Sequence, residues 1–337
     1  MNMIGLDCDL RSQKHPLTIP DVSPASMNDR ELSIIIANYN GRELLGSCLD
    51  SIYRNPPTRP FEVIVVDDAS SDGSYEMVQE NFPQARLLQN TQNVHYGQSN
   101  NRAFDLAQGQ RVYLLNNDTV MLPGALDAMM AFLDKHPTAG AVGSKLLNGD
   151  GTIQASVKTL PCVMSGVFGA RSILTKLFPN NRFSRGHLLH MSQDMSRPFM
   201  AGYVSSASVM IRRDVINRVG YLDERLSYHV DADYCKRIWD AGWEVYYLPT
   251  ATVVHFAHKG GTMVNLSRRF KSIIEFHRGS YIYFRKHQMK SPWHPMHFMV
   301  VIGLGLRFVA SLLLQLSKEL VKRGPHRPHY QADHLAP

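Results

Sequence analysis

The chain has 337 residues, 44% of them hydrophobic and 19% charged, which excludes a disordered or fibrous polypeptide and supports a sizeable core. Its formal net charge of +7 favours anionic partners such as phosphates or acidic lipid headgroups. Cys8, Cys48, Cys162 and Cys235 are far apart and form no CxxC pair, which excludes a zinc ribbon or disulfide frame and points to reduced thiols in the cytosol.

Residues 1–30 lack an apolar h-region and read as a flexible leader. "LSIIIA" (32–37) is a continuous apolar run, the mark of a strand buried on both faces. Leu44, Leu45, Cys48, Leu49 and Ile52 then recur at helical spacing over 42–54. A second buried strand, "FEVIVVDD" (61–68), precedes a helix over 74–82, a short strand at "ARLLQN" (85–90) and a helix over 97–108. "RVYLLNND" (111–118) is a further strand, and a helix over 123–136 opens on Pro123, an allowed first-turn residue. This rhythm predicts a Rossmann-like, mostly parallel central sheet flanked by helices, with ligands beyond the carboxyl ends of its strands. "ANYNG" (37–41), "DDASSDGS" (67–74) and "NNDT" (116–119) are then polar tips on one edge.

The second half is less regular. "AVGSKLL" (141–147) and "GTIQAS" (151–156) suggest strands, and 160–198 reads as a long variable loop. Residues 202–220 suggest a strand and a short helix; 231–242 suggest a helix ended by Gly242. "WEVYYLP" (243–249) and "TVVHF" (252–256) read as further strands. Between Arg268 and Lys290, seven lysines and arginines accompany a single acidic residue, Glu275. "FMVVIGLGLRFVASLLLQL" (298–316) would span about 28 Å as a helix, near bilayer thickness. Arg307 at its centre opposes insertion, and Lys318, Lys322, Arg323 and Arg327 follow it. These features predict a helix lying in the cytoplasmic membrane interface. The alternative is a helix buried against the rest of the protein or a partner.

Neither GxxxxGK[ST] nor GxGxxG occurs, so a cation and carboxylates must do what backbone amides do in phosphate loops. Asp118, at a strand end and backed by Asn116, can hold Mg²⁺ or Mn²⁺ whose remaining ligands are phosphates and water. Its plainer role is an Asx turn. Asp67 or Asp68 can accept hydrogen bonds from a base or ribose, with Ser71 or Asp72 capping the next helix. Asp231 and Asp233 lie at a helix N-terminus, where one can act as a general base and the other as a cap. His255 and His258 are candidates for a metal or diphosphate, or satisfied structural residues. Gly97, near a helix start, is a weaker candidate.

In order, "LSIIIANYNG", "FEVIVVDDASSDGS", "NVHYGQSNNRAFDLAQGQRVYLLNNDTV", the segment from Gly202 to Phe256 and "RRFKSIIEFHRGSYIYFRKH" resemble family 2 glycosyltransferases of the GT-A fold, over about residues 32 to 288. The resemblance implies a GT-A domain over 31–262; charge and hydropathy add a basic helical segment over 263–292 and a membrane-associated apolar helix with a basic tail over 293–337. It implies an inverting, metal-dependent transfer from a dTDP- or UDP-linked sugar to a saccharide or lipid-linked saccharide. Ala37, Asn38 and Asn40 would line the nucleotide site, and Asp67 and Asp68 would contact base or ribose. The family's Asp-x-Asp motif falls on Asn116-Asn117-Asp118, so Asp118 would carry Mg²⁺ or Mn²⁺ with Asn116 and Asn117 beside the donor. The Glu-Asp motif falls on Val230-Asp231, which makes Asp231 the expected base and Val230 a departure. Asp233 would anchor the helix, and His255 or His258 would approach the diphosphate or metal. Within the family the likeness is to bacterial enzymes of cell-surface polysaccharide synthesis, including rhamnosyltransferases, at the inner face of the plasma membrane. A nucleotidyltransferase would want a phosphate-gripping loop that is missing here. A non-catalytic glycan binder would not need Asp118 and Asp231. No nucleic-acid module is recognisable.

Overall fold

A computed structural model describes residues 30–162, 187–256, 266–289, 291, 293 and 295–322. The leader, most of the expected loop at 160–198, His258, Lys290 and the basic tail beyond Lys322 lie outside the described residues.

Four strands build a continuous parallel block at one side of the sheet: β1 (Leu32–Asn38), β2 (Phe61–Asp67), β3 (Arg86–Gln89) and β4 (Arg111–Leu115). β1 pairs with β2 and β4, and β2 with β3, all in parallel. The β1–β2 register runs from Leu32 opposite Phe61 to Asn38 opposite Asp67, so the two polar tips end side by side. The crossovers carry α1 (Arg42–Arg54), α2 (Ser74–Asn81) and α3 (His95–Phe104). Ile34 and Ile36 enter one hydrophobic core and Ile35 the other. Both faces of β1 are thus covered, which is why its sequence does not alternate with polar residues.

The rest of the chain adds β5 (Thr119–Met121), α4 (Ala125–Lys135), β6 (Ala139–Leu147), β7 (Val157–Lys158), β8 (Phe199–Met200), β9 (Tyr203–Val204) and β10 (Ser208–Arg212). It ends with α5 (Arg213–Val219), α6 (Val230–Asp240), β11 (Glu244–His255), α7 (Leu266–His287) and α8 (Pro295–Lys322). The main path of the sheet is β3-β2-β1-β4-β10-β6-β11-β5. β10 runs antiparallel to β4 and β6, and β11 runs parallel to β6 but antiparallel to β5.

Several elements differ from the sequence reading. The strand expected over 111–118 stops at Leu115: the Asn116 N–H still reaches its in-register partner, the Ala207 carbonyl, at 3.0 Å, but the return bond is lost, the Ala207 N–H turning to Ser205 Oγ (3.3 Å) and the Asn116 carbonyl accepting from Thr119 Oγ1 (2.7 Å). "GTIQAS" forms only an isolated bridge, Leu147 with Ile153. The strand expected after residue 202 is two, β9 on β7 and β10 in the main sheet. The two strands expected over 243–256 are one, with a register irregularity between Leu248 and Thr252. Gly242 follows α6 at φ 87°, as its place past a helix end demands.

α8 lies along α7. Arg307 turns inward, its guanidinium 4.9 Å from the Phe276 ring centroid, and Phe308 meets His277 edge-on at 5.3 Å. Phe298, Ile302, Leu306, Val309, Leu313 and Leu316, spaced at fours and threes, stay exposed. The apolar window His297–Ser317 has mean hydropathy 2.0 and is only 6% buried, so α8 is not a helix enclosed in this chain's own core.

Candidate active site

The tips of β1 and β2 and the turn after β4 are knitted into one polar lattice. Asn38 donates through Nδ2 to Asp67 Oδ1 (3.3 Å) and Ser70 Oγ (3.2 Å), and its Oδ1 accepts from Asn117 Nδ2 at 2.6 Å. Asn40 N–H donates to Ser70 Oγ at 2.9 Å, and Asn40 Oδ1 accepts from Ser71 N–H at 2.8 Å. Ala37, one residue inside the edge, is partly exposed opposite Val66. Gly41 makes the close approach possible: a Cβ there would sit 2.4 Å from Asn117 Nδ2 and 2.9 Å from Asn38 Oδ1. Among the described residues four non-glycines, Asn40, Ala69, His95 and His229, hold positive φ (50°, 59°, 68° and 67°). Such conformations cost about 1–3 kcal/mol each and gather where function holds them.

Asp67 and Asp68 are buried, at 1% and 4% exposure. Asp68 is largely committed to the protein: Oδ1 accepts from Asn90 Nδ2 (2.7 Å) and Val94 N–H (2.9 Å), and Oδ2 from His95 N–H (2.9 Å). It shapes the entry to α3. Asp67 accepts from Asn38 and from Ser70 N–H at 3.0 Å, and so keeps more free lone pairs. Asp72 caps two helices: its carboxylate accepts from Arg42 N–H (2.9 Å) in α1 and from Ser74 N–H (3.1 Å) in α2. The α2 N-cap position itself is Gly73, at φ 77°. Gly97 sits in the first turn of α3, where a Cβ would meet Glu224 Cα at 3.4 Å.

The turn after β4 presents Asp118 to His255, the last residue of β11. Asp118 Oδ1 lies 3.2 Å from His255 Nε2, with both side chains largely buried. That oxygen is buried and makes no hydrogen bond. Asn116 Nδ2 lies 3.5 Å from the same ring nitrogen, and Gln154 Oε1 lies 3.0 Å from the other one, Nδ1. A carboxyl oxygen without a donor, beside an imidazole nitrogen, fits a divalent cation. No third His, Cys, Asp or Glu joins them among the described residues, so phosphate oxygens and water would complete the shell.

Asp231 stands in the first turn of α6 and lines a small, mostly apolar cavity with Ser206, Val204, Tyr234 and Cys235. Burial pushes its carboxyl above the usual range, while the Lys158 ammonium pulls the other way. Lys158 Nζ is 5.3 Å from the Tyr203 ring centroid, and Tyr96 donates to the Ser206 carbonyl at 3.1 Å. Val230, at 6% exposure, is turned into the apolar core, which accounts for a residue with no charge there.

Asp233 is fully buried between two cations and an imidazole: Arg237 Nε at 3.0 Å, Lys286 Nζ at 2.8 Å and His287 Nε2 at 2.7 Å. Burial alone would raise its carboxyl, but the His287 hydrogen bond and the charges of Arg237 and Lys286 hold it below the usual range. It anchors α6 to the end of α7. Lys286 also pairs with Asp223 at 2.9 Å, so part of the basic segment faces inward rather than toward solvent or lipid. Gln154 and His287 were not singled out from the sequence, and Lys286 was read only as one cation of the basic segment. Their partners lie far along the chain, and no local spacing reports them.

A profile described as "Glycosyl transferase family 2" matches residues 33–220. An N-acetylglucosaminyl-diphospho-decaprenol L-rhamnosyltransferase of Mycobacterium tuberculosis is 30% identical over 216 residues, 60% of this chain and 69% of that protein. Mannosyltransferase PcManGT from Pyrobaculum calidifontis, solved with GDP-Man and Mn²⁺, aligns at TM-score 0.52 and 18% identity, over 93% of this chain and 80% of that one. S. aureus TarS 1–349, solved with UDP-GlcNAc, aligns at TM-score 0.50 and 16% identity, over 83% and 81%. At these identities the two structures speak to fold alone.

Proposed function

The chain belongs to glycosyl transferase family 2, and from that premise we propose an inverting transfer of a sugar from a nucleotide diphosphate to a hydroxyl of a saccharide or lipid-linked saccharide. Its mixed α/β architecture is GT-A-like. The observation that carries the reading is the buried, unpartnered Asp118 oxygen facing His255 on the edge where Asn38 and Asp67 end.

Asp118 and His255 would hold Mg²⁺ or Mn²⁺, which supplies charge neutralisation for the departing nucleoside diphosphate. Asn38, Asn40 and Asp67 form the nucleotide wall, with the free lone pairs of Asp67 available to a base N–H or ribose hydroxyl. Asn116 and Asn117 set the turn beside the donor. Asp231 takes the proton of the acceptor hydroxyl as that oxygen attacks the anomeric carbon. A carboxyl raised by burial is a better match for that proton than an ordinary one. No side-chain acid is needed on the leaving group. The mycobacterial relative's name specifies rhamnosyl transfer to a diphospho-decaprenol-linked sugar, so dTDP-rhamnose is the first donor to try and a lipid-linked saccharide the first acceptor.

Thermal shift with UDP, dTDP, GDP and their sugars, with and without Mn²⁺ or Mg²⁺, tests the reading. A ligand at 100 times its Kd stabilises the native state by about 2.7 kcal/mol. One diphosphate class is expected to raise Tm only when the cation is present. If none does, a non-catalytic glycan binder becomes the better account.

The same reading puts the protein at the inner face of the plasma membrane, in support of which stands the uncovered apolar face of α8, with Arg307 withdrawn onto Phe276. Deleting residues 293–337 is expected to release the protein from anionic lipid vesicles in a flotation assay. Because that deletion also uncovers α7, the double variant Ile302→Asp/Leu306→Asp, on the outer face, is the cleaner probe. Undiminished flotation of both would refute the membrane reading.

A further inference from the structure

Gln154 makes two bonds to one residue. Its Nε2 donates to the backbone carbonyl of His255 at 2.7 Å, and its Oε1 lies 3.0 Å from the His255 ring nitrogen Nδ1. Which end of the amide points where follows from chemistry: a carbonyl oxygen only accepts, so the NH₂ must face it. A second carbonyl, Leu147 O, lies 3.5 Å from the same nitrogen. The amide oxygen therefore faces Nδ1. An amide oxygen also only accepts, so Nδ1 carries the hydrogen. In a neutral imidazole Nε2 is then bare.

Bare Nε2 lies 3.2 Å from Asp118 Oδ1, an oxygen without a donor. Two acceptors at that distance repel unless something cationic bridges them. Gln154 is itself fixed, because its own N–H donates to Leu146 O on β6 at 2.8 Å, and β6 is the strand beside β11.

We propose that Gln154 is a positioning residue that locks His255 in the Nδ1–H tautomer and so presents the Nε2 lone pair to the divalent cation shared with Asp118. This rests on the cation reading of the site given above. A partner on the far nitrogen fixes ring orientation as well as tautomer, and losing such partners typically weakens metal binding by about 10–100-fold.

The tautomer can be read without metal or turnover. In cation-free protein at pH 8, labelled with ¹⁵N-histidine, long-range ¹⁵N–¹H correlation separates Nδ1–H, Nε2–H and doubly protonated rings; His255→Asn assigns the signal. Wild type is expected as Nδ1–H. Gln154→Glu keeps an acceptor and is expected to stay Nδ1–H, whereas Gln154→Met is expected to gain Nε2–H. Mn²⁺ titration followed by electron paramagnetic resonance, with UDP and with dTDP in parallel, should show binding weakened by about 10–100-fold in Gln154→Met and near wild type in Gln154→Glu. A wild-type ring in either other state, an unchanged tautomer in Gln154→Met, or equal Mn²⁺ binding by wild type and Gln154→Met would overturn the proposal. The expected tautomers in a wild-type protein that binds no Mn²⁺ with either nucleotide would uphold the lock and sink the cation reading instead.

Discussion

Asp231→Asn is expected to keep nucleotide binding and to lose sugar transfer by about 10²–10⁴-fold, the usual worth of a positioned general base. The change is nearly isosteric and removes only the basic oxygen. No neighbour can substitute easily. Asp233, two residues on, is closed in by Arg237, Lys286 and His287, and its carboxyl is held below the usual range, which makes it a poor base. Single-turnover transfer, set against the Tm shift produced by donor nucleotide, separates the two effects. Near-normal transfer would mean the proton goes elsewhere. The pH profile carries the sign. Ionised Asp231 is the active form, and burial raises its carboxyl, so transfer should fall with decreasing pH from a point above the ordinary carboxylate pKa of about 4.

Asp118→Asn is expected to do two opposite things. It should abolish the cation-dependent part of nucleotide affinity, because the amide is a neutral and weaker ligand for a hard cation. It should also stabilise the cation-free protein. Asp118 Oδ1 is buried without a donor 3.2 Å from His255 Nε2, and such a group costs about 1–3 kcal/mol. An amide N–H in its place can donate to that nitrogen and satisfy both. Tm with and without nucleotide and Mn²⁺ tests both halves. A variant that is less stable than wild type, or that still answers to Mn²⁺, would show that the oxygen is not kept bare for a cation.

Much of this was legible from the sequence because burial on both faces leaves a simple mark. The apolar runs of β1 and β2 and the periodic positions of α1 gave elements whose observed ends differ by a residue or less. Asn38, Asp67 and Asp118 were legible as polar residues where such runs stop. The rest fails for physical reasons. β4 ends at Leu115 because the Ala207 N–H, which would return the next rung, turns to Ser205 Oγ, an exchange far along the chain that no local propensity encodes. β10 runs antiparallel, and a short apolar strand has the same composition in either direction. Asp68 has the same carboxylate and neighbours as Asp67, but the fold gives it three donors from the segment leading into α3. Gln154 was read as a residue of an ordinary strand, since its only distinction is a partner 101 residues away.

β11 ends at His255, and it is also the strand that holds one side of the sheet together. Among the described residues β5 pairs with no other strand, and β6 has β10 on its far side alone. A polypeptide stopped after Gly220 would therefore leave β6 as an open edge and β5 with no ladder at all. Open, apolar edges recruit other copies, so such a fragment should aggregate. The stretch that the family profile matches, residues 33–220, is shorter than the stretch that completes the sheet.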